Sequence, residues 1–493
     1  MDRKIKYGML IGMGAALASV PVKAALFKPA KIEGAAAEPE KVDLERFRKN
    51  LSDAIKIKTI AGDSAETTDW APFEEFHAFL KERYPLLHEK LSLTMFNDGK
   101  GSMMFRWQGK NPSLDPIALL AHQDVVPISD GTLDDWENPP FDGVDDGEFI
   151  WGRGALDMKN HLIAVCESVE TLIAEGFEPE RDVYLLFGHN EEVMTSIDSG
   201  AVIMCKYLKE KGIHLDCIID EGGAILPVNV KGVINKNLCG IGVGEKGYAD
   251  VEIAITSKGG HSSTSPKHTA LGELSKCVID IENHQFKSQL SPMMVELFDK
   301  IGRNCSYPVR LVTCNFKMLK PVILKVMEAI PAAASMIRTT TGTTMASGSP
   351  APNVLPQRAV VNVNFRIFPG ETIDDVTSHL RKVIRNKKAE INVKPGWKNP
   401  SAISPMDSRA FKAMEEISIG MNKDNVVAPY LVMGGTDACH YEPVCENIYR
   451  YSPFLVDTAL LLTTHGTNER IPISAMSDGV AFFKRYIRKL AGE

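Results

Sequence analysis

Three short apolar runs of this 493-residue chain end in side chains that bind metals or carry protons. "IALLAH" closes on His122, with Asp124 two residues on; "VYLLFGHNEE" closes on Glu191 and Glu192; "CIIDEGG" reaches Asp220 and Glu221. A fourth segment, "WGRGALDMKN", sets Asp157 just ahead of a helical pattern, and "HGTNERI" contributes His465. Imidazole and carboxylate donors without a thiolate suit zinc, with manganese or cobalt as substitutes. Gathered in one place, so many carboxylates would repel one another and keep their protons to high pH unless cations neutralised them. Two divalent ions therefore account for the set more economically than none. Such a pair shares one bridging carboxylate and holds a water between its members. Asp124 then has a task, because a ligating histidine usually gives its second ring N–H to a carboxylate, which here would fix the tautomer of His122. A single histidine at a strand end, or a single Glu-Glu pair, is most often a satisfied core or solvated residue. Their recurrence at the ends of successive apolar runs tips the balance toward a metal site.

The elements that must position these groups follow from the hydrophobic pattern. From 42 to 246, short apolar runs alternate with helical patterns, which predicts crossover units on a mainly parallel sheet. Runs apolar on every residue read as strands buried on both faces. Ligands of such sheets bind beyond the carboxyl ends of the strands, so the four clusters are expected at one edge. The helix after Asp157 carries Leu162, Ile163, Val165, Val169, Leu172 and Ile173 and stops at Gly176. After "VGEKGY" the character changes. "YADVEIAITSKGG" reads as a strand, about 271–284 as a helix, and 285–355 as an irregular stretch rich in Pro and Met. "AVVNVNFRIFPG" alternates strictly, with Val361, Val363, Phe365 and Ile367 on one face and Asn362, Asn364 and Arg366 on the other. A helix over 373–387 and the strand "AEINVKPG" complete a two-layer α+β unit inserted at 247–395; the α/β pattern resumes over 396–493 and ends in a helix carrying Val480, Phe483, Ile487 and Leu490. The predicted fold class is α/β, a mainly parallel mixed sheet flanked by helices, with an inserted two-layer α+β domain.

Composition narrows the function further. The length exceeds one compact core, and 44% hydrophobic with 24% charged residues excludes wholesale disorder. A net charge of −7 argues against nucleic acid as a partner, since phosphate binding needs clustered Lys and Arg. Residues 1–25 have a basic start (Arg3, Lys4, Lys6), an apolar stretch over 8–20 and then "PVKAA", the pattern of a signal peptide or membrane anchor, followed by a linker over 26–41. That pattern predicts a secreted, periplasmic or lumenal protein, or a membrane-anchored one; the alternative is a frayed tail on a cytoplasmic enzyme. Nine cysteines at irregular spacings, with no C-x-x-C, form neither a disulfide framework nor a thiolate metal site. The chain lacks G-x-S-x-G and H-E-x-x-H, which excludes a serine hydrolase of that type and a single-zinc protease of that type.

"HQDVVP", "WGRGALDMKN", "GHNEEV", "DEGG", "GGHSS", "NVNFRIFPG" and "HGTNERI", in that order, resemble the co-catalytic dinuclear zinc metallopeptidases that include aminoacylase, carboxypeptidase S and a secreted N-fatty-acyl amino acid hydrolase. "WENPPFDG", "DEGG" and "IRTTT" place the resemblance nearest the carboxypeptidase S and N-fatty-acyl amino acid hydrolase branch. It implies that His122, Asp157 and Asp220 bind one zinc and that Asp157, Glu192 and His465 bind the other, Asp157 being the bridge. Asp220 is favoured over Glu221, although both stand at the strand end. Glu191 would be the general base. The inserted α+β domain would be a lid or dimerisation domain, His261 of "GGHSS" would reach a neighbouring subunit's active site in a homodimer, and Asn353 and Arg366 would engage the substrate's terminal carboxylate. A cis peptide is expected between Asp157 and Met158. In "GGTDACHY", Cys439 stands where the family often has an arginine, and Met158 replaces a common aspartate. The activity implied is cleavage of an amide next to a free carboxylate, in a peptide or an N-acyl amino acid. The alternative, an inactive relative that binds peptides, sits poorly with the retained ligand and base positions.

Overall fold

The computed structural model describes residues 20–29, 38–193 and 199–492. Most of the expected leader and linker, 1–19 and 30–37, lies outside the described residues. Among the described residues no helix is long and apolar enough to cross a membrane.

Ile117–His122 and Val183–Gly188 are buried along their whole length, which is why they read as unbroken apolar runs and why they sit at the middle of a sheet. They pair in parallel, His122 opposite Gly188, and Cys217–Asp220 joins Ile117–His122 in parallel on the other side. Ile448–Arg450 extends this parallel centre next to Cys217–Asp220. Antiparallel pairs finish the nine-stranded sheet: Met103–Trp107 and Ser92–Met95 at one end, Ile234–Glu245 and Ile225–Val230 toward the other, where Asn425–Val432 lies parallel to Ile234–Glu245. The three runs singled out by their chemistry are thus neighbours, with their carboxyl ends at one edge.

Alternate residues of these strands feed two cores. Ile117, Leu119 and Leu185 pack with the helices Leu44–Lys56, Lys159–Ala174 and Ile473–Ala491, while Ala118, Leu120 and Leu186 pack with Ala201 and Met204 of Gly200–Glu210.

The inserted unit has the expected two layers. Its antiparallel sheet runs in the order Thr340–Ser347, Arg358–Ile367, Gly247–Thr256, Glu390–Val393. Helices Ala270–Asn283 and Ile373–Val383 cover it through Leu274, Ile281, Val376 and Leu380, against Val251, Ile253, Val361, Val363 and Phe365. A capping box between Thr372 and Asp375 starts the second helix.

The stretch over 285–355 departs from expectation, since four helices occupy 292–335. Pro292, Pro308 and Pro331 stand in the first turns of their helices, where the missing N–H has no partner to lose, and Ser291 caps the first helix through Met294 N–H. Only Pro321 is interior. Met293, Met294 and Leu297 join the main core, so the helix Pro292–Asn304 belongs with the large sheet and not with the insertion to which the sequence assigned it. All nine cysteines are free.

Candidate metal centre

His122, the last residue of its strand, is buried, and its two ring nitrogens do different work. Nδ1 donates to the main-chain carbonyl of Asp124 at 2.9 Å, and the Asp124 carboxylate lies 3.4 Å away. Nε2 therefore faces the cluster, 3.0 Å from Asp157 Oδ1 and 3.3 Å from Glu221 Oε1. The hydrogen bond expected at the Asp124 carboxylate thus falls on its main-chain carbonyl, and the carboxylate has another task. Its two carboxylate oxygens accept the main-chain N–H groups of Glu191 and Glu192, each at 3.1 Å, so one fully buried acid sets both His122 and the Glu-Glu turn.

The second oxygen of Asp157 faces the other histidine: His465 Nε2 lies 3.0 Å from Asp157 Oδ2 and 3.1 Å from Glu192. One carboxylate thus spans two imidazoles, the disposition a bridge requires. The Asp157–Met158 peptide is cis, as expected. The loop before it depends on Glu469 of "HGTNERI", for which the sequence suggests no role. Glu469 is fully buried; Oε1 accepts N–H groups from Gly154, Leu156 and Asp157, and Oε2 accepts Arg153 Nη1 at 2.5 Å. Arg153 Nη2 also donates to the Gly466 carbonyl at 2.9 Å, which ties the Asp157 loop to the His465 loop. The only signal was position, an acid four residues after a candidate ligand.

Asp220 and Glu221 divide contrary to expectation. Successive residues at a strand end point to opposite sides. Asp220, favoured as the ligand, turns its carboxylate to the N–H of Ala438 at 2.9 Å, and Glu221 is the acid that meets His122. Gly223 then turns at φ +76, where a Cβ would stand 2.4 Å from the Gly240 carbonyl oxygen. Among the described residues two donor sets have atoms within 4.8 Å of one another: His122, Glu191 and Glu221, and His122, Asp157 and Glu192.

The electrostatics fit cations. Burial, aided by the charge of Glu221, pushes Glu191 well above the usual carboxylate range, and burial beside Asp157 does the same to Glu221. Burial also raises Asp220 to about 6 and, with Asp220 beside it, Asp437 to about 8. Hydrogen bonds to Asp157 and Glu192 raise His465 to about 10. Burial opposes charge on His122, but Glu221, Asp124 and Asp157 outweigh it and hold its pKa well above the ordinary value. Burial likewise opposes charge on Asp157, and the two histidines overcome it. Without a cation the cluster is therefore neutralised by protons on its acids and imidazoles; divalent ions would serve the same purpose with the donors free to ligate.

Beyond the cluster, Arg366 stacks on Tyr248, 4.9 Å from the ring centre, with Nη1 3.4 Å from the Met433 carbonyl. Lys398, which the sequence did not flag, puts Nζ 3.5 Å from Cys439 Sγ and 3.6 Å from Glu245. Two cations thus reach the loop that leads to Asp437. His261 and Asn353 lie elsewhere, exposed on the inserted unit, where Ser262 N–H donates to the Asn353 carbonyl at 3.0 Å. Among the described residues no hydrogen bond joins either to the cluster. A cavity of about 580 Å³ opens beside Asp157 and Glu221, and Leu226, Leu238, Leu297, Ile301, Met336 and Phe454 make it apolar.

Comparison with known proteins agrees with this geometry. The sequence model described as "Peptidase family M20/M25/M40" matches residues 118–489. The chain is 35% identical over 449 residues to the Probable carboxypeptidase S-like 2 of Dictyostelium discoideum, covering 90% of this chain and 85% of that one. It is 30% identical over 456 residues to the N-fatty-acyl-amino acid synthase/hydrolase PM20D1 of Mus musculus, covering 92% and 88%. The crystal structure of the M20 family metallo-carboxypeptidase Sso-CP2 from Sulfolobus solfataricus superposes with a TM-score of 0.62 at 20% identity, over 90% of this chain and 99% of that one.

Proposed function

The chain belongs to peptidase family M20/M25/M40, and on that premise we propose that it is a dinuclear metal hydrolase that cleaves the amide bond of N-acyl amino acids next to a free carboxylate. The observation that carries this reading is the placement of Asp157, one oxygen toward each histidine, inside a ring of buried acids. His122, Asp157 and Glu221 would hold one ion, and Asp157, Glu192 and His465 the other. Zinc suits this donor set, with manganese or cobalt as substitutes. When bound, the ions would acidify a water and polarise the scissile carbonyl.

The chain's own groups do the rest. Asp124 fixes the His122 tautomer at Nδ1 and, through two N–H groups, the orientation of Glu191 and Glu192. Glu192 is paired with His465, which leaves Glu191 to take a proton from water on its carboxylate and return it to the leaving nitrogen. Arg366 and Lys398 supply positive charge for the substrate carboxylate, with Lys398 beside Cys439, the position at which the family often has an arginine. The exposure of His261 supports a role in the site of a second copy in a homodimer. The completeness of the ligand set argues against a chain that only binds peptides.

The apolar cavity favours an aliphatic acyl arm over a short polar peptide, in keeping with the name of the mouse relative. The test is a panel of N-acyl amino acids of rising chain length beside dipeptides. Each added CH2 buried in the cavity contributes about 0.8 kcal/mol, so kcat/KM should rise about fourfold per methylene until the cavity is full. Faster turnover of polar dipeptides than of any acyl amino acid would overturn the substrate assignment.

A further inference from the structure

The helices over 292–335 leave one apolar face uncovered. In Phe316–Glu328, Ile323 and Leu324 pack against the main core, while Met318, Val322 and Val326, four residues apart, are 53, 60 and 57% exposed, and Ile330 continues the row. Beside this row stand the exposed Lys317, Lys320 and Lys325, and no acidic residue occurs from 305 to 327 in a chain whose net charge is −7. The amino-terminal segment comes to the same helices. Phe27 lies 4.4 Å from the Arg303 guanidinium, Arg303 and Arg310 donate to the carbonyls of Lys28 and Phe27, and Tyr307 Oη donates to the Pro21 carbonyl at 3.2 Å. Val22 and Leu26 of that segment are exposed, and its sequence continues the apolar stretch over 8–20 that follows Arg3, Lys4 and Lys6.

We propose that this face docks on an anionic lipid surface. Aliphatic side chains in a helical row, flanked by lysines, are what an interfacial helix presents to the boundary between headgroups and acyl chains. The absence of acids over 305–327 fits a negatively charged leaflet, whereas a second copy meeting this face about a two-fold axis would oppose lysines to lysines. Stable attachment takes two signals, and the segment 20–29, which lies against these helices with Val22 and Leu26 exposed, supplies the second. The docking uses none of the metal-centre residues, so it stands or falls apart from the hydrolase reading.

The test mixes the full chain with vesicles of phosphatidylcholine alone, or of phosphatidylcholine with phosphatidylglycerol. Acylation of lysines by a membrane-impermeant reagent is followed by mass spectrometry. With anionic vesicles, Lys317, Lys320 and Lys325 should react several-fold more slowly, while the exposed Lys258 and Lys267 of the inserted unit keep their rates. Lys320→Gln should weaken the affinity for anionic vesicles about fivefold, the effect of one lysine near such a surface. Val322→Glu combined with Val326→Glu, both at exposed positions, should abolish the protection with an unchanged melting temperature. Protein that stays off both kinds of vesicle would overturn the proposal. So would vesicle-bound protein whose three lysines react at the free rate, because the amino-terminal stretch alone would then explain attachment. Protection that appears without vesicles and grows with protein concentration would also overturn it, and would assign the face to a second copy.

Discussion

Asp220 and Glu221 are adjacent acids to which the geometry gives different work, and separating them tests the metal centre directly. Glu221→Gln keeps the shape of the side chain and removes the charge that faces His122 Nε2 at 3.3 Å. At that separation and an effective dielectric of about 20, two unit charges attract by ~5 kcal/mol. A divalent ion carries twice the charge of an imidazolium, so the attraction lost exceeds this figure before desolvation returns part of it. Even a net loss of ~3 kcal/mol weakens one ion's binding by more than about a hundredfold. Asp220→Asn, by contrast, keeps an oxygen for the Ala438 N–H at 2.9 Å. Its cost is the exchange of a charge-assisted hydrogen bond for a neutral one, about 1 kcal/mol. As an outer partner of the ligands it should alter metal affinity by about tenfold to a hundredfold at most. The assay is metal per chain by elemental analysis after dialysis against graded free zinc, with melting temperature in parallel. The wild type and Asp220→Asn should retain about two ions at a zinc concentration where Glu221→Gln retains about one. If Asp220→Asn loses an ion while Glu221→Gln keeps both, the reasoning from strand-end geometry is refuted and Asp220 is the ligand.

Glu191→Gln should lower turnover by about two to four orders of magnitude, the usual contribution of a positioned base, with metal content unchanged; loss of metal would make Glu191 a ligand. Lys398→Met and Arg366→Ala should each lower kcat/KM on the free acid by about one to two decades, and much less on the substrate amide, because the carboxylate is then already gone. Equal losses on acid and amide would remove both residues from carboxylate recognition. Gly435→Ala should reproduce the Lys398 defect, since a Cβ there would stand 2.3 Å from Lys398 Nζ and displace it. Chelation should lower the melting temperature more at about pH 8 than at about pH 5.5. In the metal-free chain burial raises Asp220 from 3.8 to about 6, so the unfolded state releases its proton first and stability is lost as pH rises through that interval, the last of it above about pH 5.5. Asp437, raised to about 8, adds a loss of the same sign at higher pH. His465, raised from 6.5 to about 10, stabilises fully below 6.5 and loses that contribution as pH climbs toward 10. A chelation effect larger at acid pH would contradict this.

The parallel strands and the candidate ligands at their ends are legible because a strand buried on both faces shows as an unbroken apolar run, and the first polar residue after it marks the edge where such sheets bind ligands. The alternation in Arg358–Ile367 is equally plain, since one face of its sheet is covered by helices. The helices over 292–335 are hidden because proline breaks a helix in its interior but favours the first turn, and composition alone does not separate the two uses. The choice between Asp220 and Glu221 turns on the direction of one Cβ at the end of a strand, and a sequence carries the order of the two acids but not that direction. Cys439 is the clearest case. Read along the chain, it is a missing cation. Lys398 is 41 residues away in sequence, and nothing in its surroundings, "PGWKNPS", marks it as the cation that packs against Cys439. Its partner in making room is Gly435, whose lack of a Cβ lets Nζ lie over the loop leading to Asp437. A charge moved from one segment to another leaves each segment looking ordinary, and only the packing of the two shows that a cation stands beside Cys439.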